Sequence, residues 1–172
     1  MISSRFNGLK IKGITCSVPV NREVIADKYS SLFGEEAVSR FCKMTGVISR
    51  NVSNVEQTAS DLTFEAAEFL LNKRNIDRKS IGALIFVTQT PDYRVPASAL
   101  VIQRRLKLSK DCIAFDVNLG CSGYVYGMQI LSSIMISSSI NRGLLLVGDT
   151  STKVIASEDS SSAMLFGDAG AA

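Results

Sequence analysis

The sequence Ile113-Ala-Phe-Asp-Val-Asn-Leu-Gly-Cys121-Ser-Gly-Tyr124 joins a strand-like apolar run to a long segment without charge. Because no residue between Val117 and Asn141 is charged, we expect a buried helix that holds the sulfur of Cys121 rigidly. The positive end of the helix macrodipole favours the thiolate, which is the nucleophilic form of cysteine. The alternative interpretation is a small apolar side chain packed in a core, as most free cysteines are.

Two glycines flank this cysteine. Gly120 and Gly123 would let a substrate carbonyl approach the backbone closely, so both are candidate substrate-binding residues. The same Gly-Cys-Ser-Gly sequence could also imitate a dinucleotide-binding loop between a strand and a helix. It lacks the GxGxxG spacing, and no Asp or Glu follows about twenty residues later, so we predict no nucleotide cofactor.

Apolar runs and helical patterns alternate along the chain. Continuous apolar runs predict buried strands at Ala83–Val87, Ile113–Val117 and residues 144–148. Thr58 and Asp61 resemble a capping box that begins a helix. The alternation predicts a layered α/β fold with a mostly parallel mixed sheet and a buried helix that carries the nucleophile. Further expectations are a strand at residues 9–18, a short strand or an extended connection at residues 47–52, and a last strand that starts at residues 163–166. We also expect a helix from Arg22 capped by Asn21, and helices at residues 35–44 and 59–75.

Composition excludes several classes of function. The 172 residues are 46% hydrophobic, which is enough for one domain, and we assign that domain to residues 1–172. The net charge of +3 is too small, and the basic residues are too dispersed, to predict nucleic-acid binding. The amino-terminal residues lack the apolar core of a secretory signal, and polar residues such as Asn118 interrupt the uncharged stretch. We therefore predict no membrane association.

The four cysteines and the lack of histidine limit the chemistry of the chain. Cys16, Cys42, Cys112 and Cys121 lack CxxC spacing and have no histidine to help them, so we expect no metal site. Such thiols are typical of a reducing cytoplasm, and the first three are expected to be packing thiols. Without an imidazole, these residues alone cannot complete a Cys–His dyad or a Ser–His–Asp triad.

Several motifs resemble one family of enzymes over essentially the whole chain. Residues 116–124 are similar to the nucleophile segment of β-ketoacyl-acyl-carrier-protein synthase III, in the thiolase superfamily. The resemblance covers the amino-terminal half of that family's duplicated fold, and in the family the second half supplies a histidine and an asparagine that promote malonyl decarboxylation. The other motifs, in the family's order, are Thr45-Gly46-Val47, Thr90-Pro91-Asp92, Val95-Pro96-Ala97-Ser98, Val147-Gly148-Asp149 and Phe166-Gly167-Asp168-Ala169-Gly170.

The resemblance implies an acyltransferase. An acyl group would pass from a thioester to the Cys121 sulfur, and a carbanion from decarboxylated malonyl-acyl-carrier protein would attack it to give a β-ketoacyl product. The backbone N–H of Cys121 would help to stabilise the oxyanion. The implied setting is the initiation of fatty-acid or related acyl chains in the cytoplasm, by a homodimer that binds acyl-carrier protein and an acyl thioester.

Departures from the family pattern bear on the acyl donor. Members primed by acetyl-CoA often carry Trp and Arg where this sequence has Arg40 and Met44, and a further Arg where it has Ser160. Without that stacking ring and those cations, we expect an acyl-carrier-protein donor or a different acyl-CoA. In short-chain members a Phe before the Pro caps the partner's acyl pocket. Val95 would leave room there for a longer chain, or it would merely pack beside Pro96.

Two other interpretations stay open from the sequence. The chain could be a non-catalytic thiolase-fold subunit or a truncated product, with a role in dimer scaffolding. It could instead belong to a related thioester synthase of a specialised pathway. A downstream histidine and asparagine would favour the condensing enzyme over the non-catalytic subunit. The measured preference for acyl donors would separate the condensing enzyme from the specialised thioester synthase.

Overall fold

The computed structural model describes residues 5–172, which form a five-stranded sheet, a separate two-stranded sheet and five helices. The strands are β1 (Cys16–Ser17), β2 (Arg22–Val24), β3 (Ser49–Asn51), β4 (Ala83–Val87), β5 (Ile113–Val117), β6 (Gly143–Thr150) and β7 (Asp168–Ala171). The helices are α1 (Ile25–Phe33), α2 (Glu35–Thr45), α3 (Ala59–Lys73), α4 (Ser98–Arg105) and α5 (Gly123–Ser137). Short 3₁₀ turns lie at Arg78–Ser80 and Ser151–Lys153.

The large sheet has the strand order β1-β7-β6-β4-β5. Strand β4 pairs in parallel with β5 and β6, whereas β7 is antiparallel to β6 and β1. All residues of β4 are buried, as its apolar sequence predicts. Strand β5 lies at the sheet edge and its Ile113 is 38% exposed, so the prediction of a fully buried strand is wrong there. The parallel arrangement of the three longest strands confirms the predicted α/β class.

Helices cover both faces of this sheet. Alternate residues of β4 point to opposite faces, as the period of two in a strand requires. Leu84 and Phe86 pack with α3 and α4 in the larger core. Ile85 and Val87 pack with Leu131 of α5 on the other face. The described chain therefore consists of three layers, with the sheet in the middle.

The uncharged helix α5 covers the sheet with one face only. Gly127 and Leu131 are buried, whereas Tyr124, Val125 and Tyr126 are 48%, 66% and 52% exposed. The prediction of a buried helix is therefore wrong for its outer face, because β4 and β6, which α5 mainly contacts, lie on its inner side. Among the described helices, none has both the length and the hydropathy that a membrane span needs.

The amino-terminal elements differ most from the sequence predictions. Of residues 9–18, only Cys16–Ser17 forms a strand of the sheet, beside β7. Arg22–Val24 is a strand rather than the start of a helix, because it pairs with β3. Helix α1 begins only at Ile25, so Asn21 is not its cap.

Other predicted boundaries agree better with the structure. Helix α2 begins at Glu35 as predicted, and β3 forms inside the predicted extended segment. The Thr58 side chain accepts from the N–H of Asp61, and the Asp61 side chain accepts from the N–H of Thr58, so the predicted capping box is present. The start predicted for the last strand at residues 163–166 is wrong, because residues 163–165 lie in a turn and β7 begins only at Asp168.

A buried arginine joins the small sheet to that turn and to α1. The Arg50 side chain is 8% exposed, and its Nη2 lies 2.6 Å from Oε1 of Glu23. Nη2 also donates to the Tyr29 hydroxyl, and Nη1 donates to the carbonyl oxygens of Ala163 and Phe166. One side chain therefore holds together segments that are more than a hundred residues apart in the chain.

Candidate active site

Strands β4, β5 and β6 are parallel and in register, so their carboxyl ends meet at one edge of the sheet. Val87 at the end of β4 lies opposite Val117 of β5 and Val147 of β6. Residues 88–90 leave β4 at this edge, and the segment with Cys121 leaves β5 there. Ligands of open α/β sheets bind at the carboxyl ends of the strands. This edge is therefore the candidate active site.

Cys121 lies at the tip of a four-residue turn, residues 120–123, which we call the Cys121 turn. The N–H of Gly123 donates to the carbonyl oxygen of Gly120 at 2.7 Å and closes the turn. Cys121 and Ser122 are both exposed, and α5 begins at Gly123. The candidate nucleophile is therefore accessible next to a helix amino terminus, rather than packed in a core.

The other three cysteines differ from one another in exposure. Cys112 is buried, and burial raises the pKa of its thiol to about 11. Cys42 packs against the cluster around α1 and α2, so both are packing thiols as predicted. Cys16 is exposed, and the prediction that it is packed is wrong. It lies in the two-residue strand at the sheet edge.

Both glycines of the Cys121 turn are in close contact with the end of β4. A Cβ atom on Gly123 would lie 2.5 Å from Cγ1 of Val87, and one on Gly120 would lie 2.6 Å from Oε1 of Gln89. Neither position leaves room for a side chain without movement of its neighbour. At Gly123 the buried side chain of Val87 therefore accounts for glycine, whereas at Gly120 the nearest atoms belong to the end of the exposed, flexible Gln89 side chain.

The segment after β4 is anchored by one carboxylate. Oδ1 of Asp149 accepts hydrogen bonds from the N–H groups of Gln89 at 2.7 Å and Thr90 at 3.1 Å. It also accepts from the hydroxyls of Thr88 at 2.9 Å and Thr90 at 3.1 Å. The backbone that carries Gln89 is thus fixed relative to β6.

Other carboxylates near this edge also bind backbone groups. Asp116 of β5 accepts from the N–H groups of Ser98 and Ala99, both at 2.7 Å, and so caps α4. Buried Asp168 accepts from the N–H groups of Ser53 and Thr152, which is a structural role beyond local turn chemistry. Among residues 5–172 there is no cluster of three or more His, Cys, Asp or Glu side chains that could hold a metal ion.

The candidate pocket residue Val95 lies on the loop between β4 and α4. It is 87% exposed and precedes Pro96 through a cis peptide bond. The structure thus brings Gly120, Cys121 and Gly123 together in one turn, whereas Val95 lies on another loop.

The residues that depart from the family pattern are also on the surface. Met44 is 80% exposed, and Ser160 is exposed in a loop. Arg40 forms an ion pair of 3.3 Å with Glu36 on the same helix, and both side chains are mostly in solvent.

Sequence reasoning missed Gln89, Asp116 and Asp149 as parts of this site. Gln89 and Asp149 follow predicted strands, and Asp116 is the last residue but one of the strand Ile113–Val117. That position was a usable signal, because polar residues at the carboxyl ends of parallel strands gather at one edge.

Comparison with known proteins identifies the family. Residues 115–172 match the sequence model of 3-oxoacyl-[acyl-carrier-protein (ACP)] synthase III. A putative 3-oxoacyl-[acyl-carrier-protein] synthase 3 of Campylobacter jejuni is 37% identical over 169 residues, which cover 97% of this chain and 48% of that protein. The β-ketoacyl-[acyl-carrier-protein] synthase III of Clostridium beijerinckii is 34% identical over 167 residues, which cover 96% of this chain and 50% of that protein.

Solved structures agree with these matches. The crystal structure of a 3-oxoacyl-(acyl-carrier protein) synthase from Burkholderia xenovorans superposes with a TM-score of 0.89 at 41% identity, over 92% of this chain and 45% of that chain. OleA from Xanthomonas campestris shares the fold, with a TM-score of 0.80 at 22% identity, over 92% of this chain and 55% of that chain. The chain spans about half the length of the curated relatives that it matches. Its motifs, its mixed sheet and these matches show that the chain belongs to the β-ketoacyl-acyl-carrier-protein synthase III family of thiolase-like proteins.

Proposed function

We propose that residues 1–172 form the amino-terminal, nucleophile-bearing half of a β-ketoacyl-acyl-carrier-protein synthase III. The exposed thiol of Cys121, at the tip of a closed turn before α5, is the observation that carries this proposal. The whole enzyme condenses an acyl group with malonyl-acyl-carrier protein to a β-ketoacyl product and thereby initiates fatty-acid or related acyl chains.

The first chemical step uses the sulfur of Cys121. Its thiolate attacks the carbonyl carbon of an acyl thioester, a new C–S bond forms, and the carbonyl oxygen takes the negative charge. The backbone N–H of Cys121 and the amino terminus of α5 stabilise that oxyanion. The bond to the donor sulfur then breaks, and the donor thiolate leaves with its electron pair.

The second half of the protein supplies the groups for decarboxylation. The present sequence contains no histidine, and Asp116, Asp149 and Asp168 are engaged with backbone N–H groups. The family resemblance implies a histidine and an asparagine from the second half. The exposed apolar side chains of Tyr124 and Val125 on α5 support a second layer that packs on its outer face.

The partners follow from the same proposal. Within residues 5–172 no strand pairs with the outer edge of β5, which supports a homodimer, because an unpaired strand edge readily accepts another strand. Acyl-carrier protein delivers the malonyl group, and it or an acyl-CoA other than acetyl-CoA delivers the acyl group. The four cysteines are all free, which supports a location in the reducing cytoplasm.

Alkylation by iodoacetamide tests the nucleophile. At pH 7 we expect Cys121 in folded protein to react about tenfold faster than Cys16, because Cys121 lies at the exposed tip of the turn before α5, whereas Cys16 is part of a strand paired with β7. Cys16 is the matched control because it is also exposed, and Cys112 should react slowest because it is buried. Rates come from peptide mapping by mass spectrometry. If Cys121 proves the slowest thiol, the nucleophile assignment is wrong.

The exchange Val95→Phe tests the pocket-cap role in the full-length enzyme. Wild type should use acyl donors longer than acetyl, and Val95→Phe should shift the preference toward shorter chains. The rate should fall roughly fourfold for each methylene that the ring excludes, since a buried CH₂ contributes about 0.8 kcal/mol. The measurement is kcat/KM over a graded series of acyl donors.

The control for this exchange is Val20→Phe, because Val20 is 97% exposed on another segment. It should leave the chain-length profile as in wild type. A wild type that prefers acetyl over every longer donor, together with an unchanged profile in Val95→Phe, would show that Val95 only packs beside Pro96.

A further inference from the structure

The loop between β4 and α4 is fastened to α3 by the carboxylate of Asp92. Its Oδ2 accepts a hydrogen bond from the hydroxyl of Ser60, a residue that is 1% exposed. The hydroxyl of Thr58 lies 3.2 Å from the same oxygen, and the N–H of Ser60 donates to Oδ1 at 3.4 Å. Because a buried hydroxyl without a partner costs free energy, the pairing of Ser60 with Asp92 favours a single position of the loop.

The backbone of Asp92 also closes the loop at its base. The N–H of Asp92 donates to Oγ of Ser98 at 3.0 Å. Ser98 is the first residue of α4 and is fully buried, and its own N–H donates to Oδ2 of Asp116 in β5 at 2.7 Å. Residues 93–97 therefore form a closed segment, and its two ends are fixed to α3 and to β5.

The tip of this closed segment lacks the support that its base has. Tyr93 is 55% exposed, Val95 is 87% exposed, and Arg94 is also exposed. Side chains exposed to this extent gain little from packing within the chain. The position of Val95 therefore depends on the hydrogen bonds at the base of the loop.

Capping of α3 does not by itself account for Asp92. The capping box of Thr58 and Asp61 already begins this helix. The bond from the N–H of Ser60 to Asp92 is longer than is usual for a backbone donor, whereas the Ser60 hydroxyl lies closer. The contact of Asp92 with α3 is thus mainly one between two side chains, and its main effect is on the loop.

We propose that Asp92 is a positioning residue for the selection of acyl chain length. The hydroxyls of Ser60 and Ser98 hold Asp92 between α3 and α4, and Asp92 in turn holds Val95 where it limits the acyl pocket of the second protomer. A fixed base makes the end of that pocket firm, so chains longer than the pocket are excluded. This inference rests on the proposed pocket-cap role of Val95.

Removal of the carboxylate tests this role in the full-length enzyme. The readout is kcat/KM for a series of S-acyl-N-acetylcysteamine donors of increasing chain length, with malonyl-acyl-carrier protein as the acceptor. In Asp92→Ala, the preference for the best donor over the next longer donor should fall about fourfold, the effect of one buried methylene. Ser60→Ala should lower the same preference, and it keeps the test valid if Asp92→Ala does not fold, because alanine favours a helix.

The matched control is Asp61→Ala. It removes a carboxylate from the same helix terminus but has no hydrogen bond to residues 91–97. It should destabilise α3 and leave the chain-length preference as in wild type. Urea unfolding compares the stability of the variants. A change in preference as large as that of Asp92→Ala would assign the effect to α3 rather than to the loop, and would overturn the proposal.

A double variant links Asp92 to Val95. Val95→Phe should shift the chain-length profile less in the Asp92→Ala background than in wild type, because a loosened tip can move aside from a longer chain. Purely additive effects of the two changes would show that Asp92 does not act through Val95.

Trypsin cleavage after Arg94 measures the mobility of the loop directly. Cleavage should be faster in Asp92→Ala than in wild type or Asp61→Ala, because a folded segment must open locally before a protease can cut it. Equal rates in all three proteins would show that Asp92 does not hold the loop.

The outcomes separate this inference from the proposed function. If Val95→Phe leaves the wild-type profile unchanged, the pocket-cap role fails and the role of Asp92 fails with it. If Val95→Phe shifts the profile while Asp92→Ala and Ser60→Ala keep the wild-type preference, only the role of Asp92 is overturned.

Discussion

Replacing Cys121 with alanine should abolish β-ketoacyl formation by a protein that joins residues 1–172 to the second half of the family fold. We expect a loss of at least about 10³-fold in kcat, because no covalent acyl-enzyme can form without the sulfur. The assay follows release of carbon dioxide from malonyl-acyl-carrier protein and formation of the β-ketoacyl product. Ser122→Ala is the matched control, since Ser122 shares the tip of the turn and is also exposed.

Residues 1–172 alone should form no β-ketoacyl product in the same assay. Their sequence has no histidine, and the carboxylates of Asp116, Asp149 and Asp168 already accept hydrogen bonds from backbone N–H groups. Robust condensation by residues 1–172 would overturn the proposed division of roles between the two halves. Full activity of the Cys121→Ala variant would show that Cys121 is not the nucleophile.

Replacing Arg50 with leucine should lower the free energy of unfolding by about 3–5 kcal/mol. The change removes one partner of a largely buried ion pair and leaves Glu23, whose side chain is 15% exposed, with Lys28 as its remaining cation. It also removes the hydrogen bonds to the carbonyl oxygens of Ala163 and Phe166. Urea denaturation at pH 7 measures the difference from wild type.

The control for this change is Arg40→Leu. The side chains of Arg40 and Glu36 are 68% and 93% exposed, so loss of their ion pair should lower the free energy of unfolding by no more than about 0.5 kcal/mol. Equal effects of the two leucine variants would show that Arg50 does not hold the fold together.

The pH dependence gives a second check on the same pair. Burial alone would raise the pKa of Glu23, but hydrogen bonds and charges from Lys28 and Arg50 outweigh it and hold the pKa below its usual range. A carboxyl group whose pKa is lower in the folded than in the unfolded protein stabilises the fold at pH values above its unfolded pKa, about 4.3. This stabilisation is lost as the pH falls through the folded pKa. The difference between wild type and Arg50→Leu should therefore narrow below about pH 4.3. A difference that stays constant from pH 7 to pH 3 would assign the stabilisation to the carbonyl contacts of Arg50 alone.

Local patterns in the sequence were sufficient for the elements that depend on near neighbours. The apolar run Ala83–Val87 is a buried strand, and the Thr58–Asp61 capping box begins α3 as predicted. The placement of Cys121 between a strand and a helix is also visible in the sequence, because β5, Cys121 and α5 follow each other directly along the chain. Caps and side-chain periodicity act over three or four residues, so the sequence displays them directly.

Features that depend on distant partners could not be predicted from local sequence. Arg22–Val24 is a strand because it pairs with Ser49–Asn51, against the expectation of a helix. Likewise, the outer face of α5 is exposed although its sequence is apolar, because burial depends on what else packs there.

The same distinction holds within the candidate site. Local sequence was enough to identify the candidate nucleophile Cys121 and its place between a strand and a helix. The anchoring of Gln89 by Asp149 joins residues sixty positions apart, and the contact of its side chain with Gly120 crosses from one strand end to the next. Such contacts exist only after parallel strands come into register, because register sets which strand ends meet at the edge of the sheet.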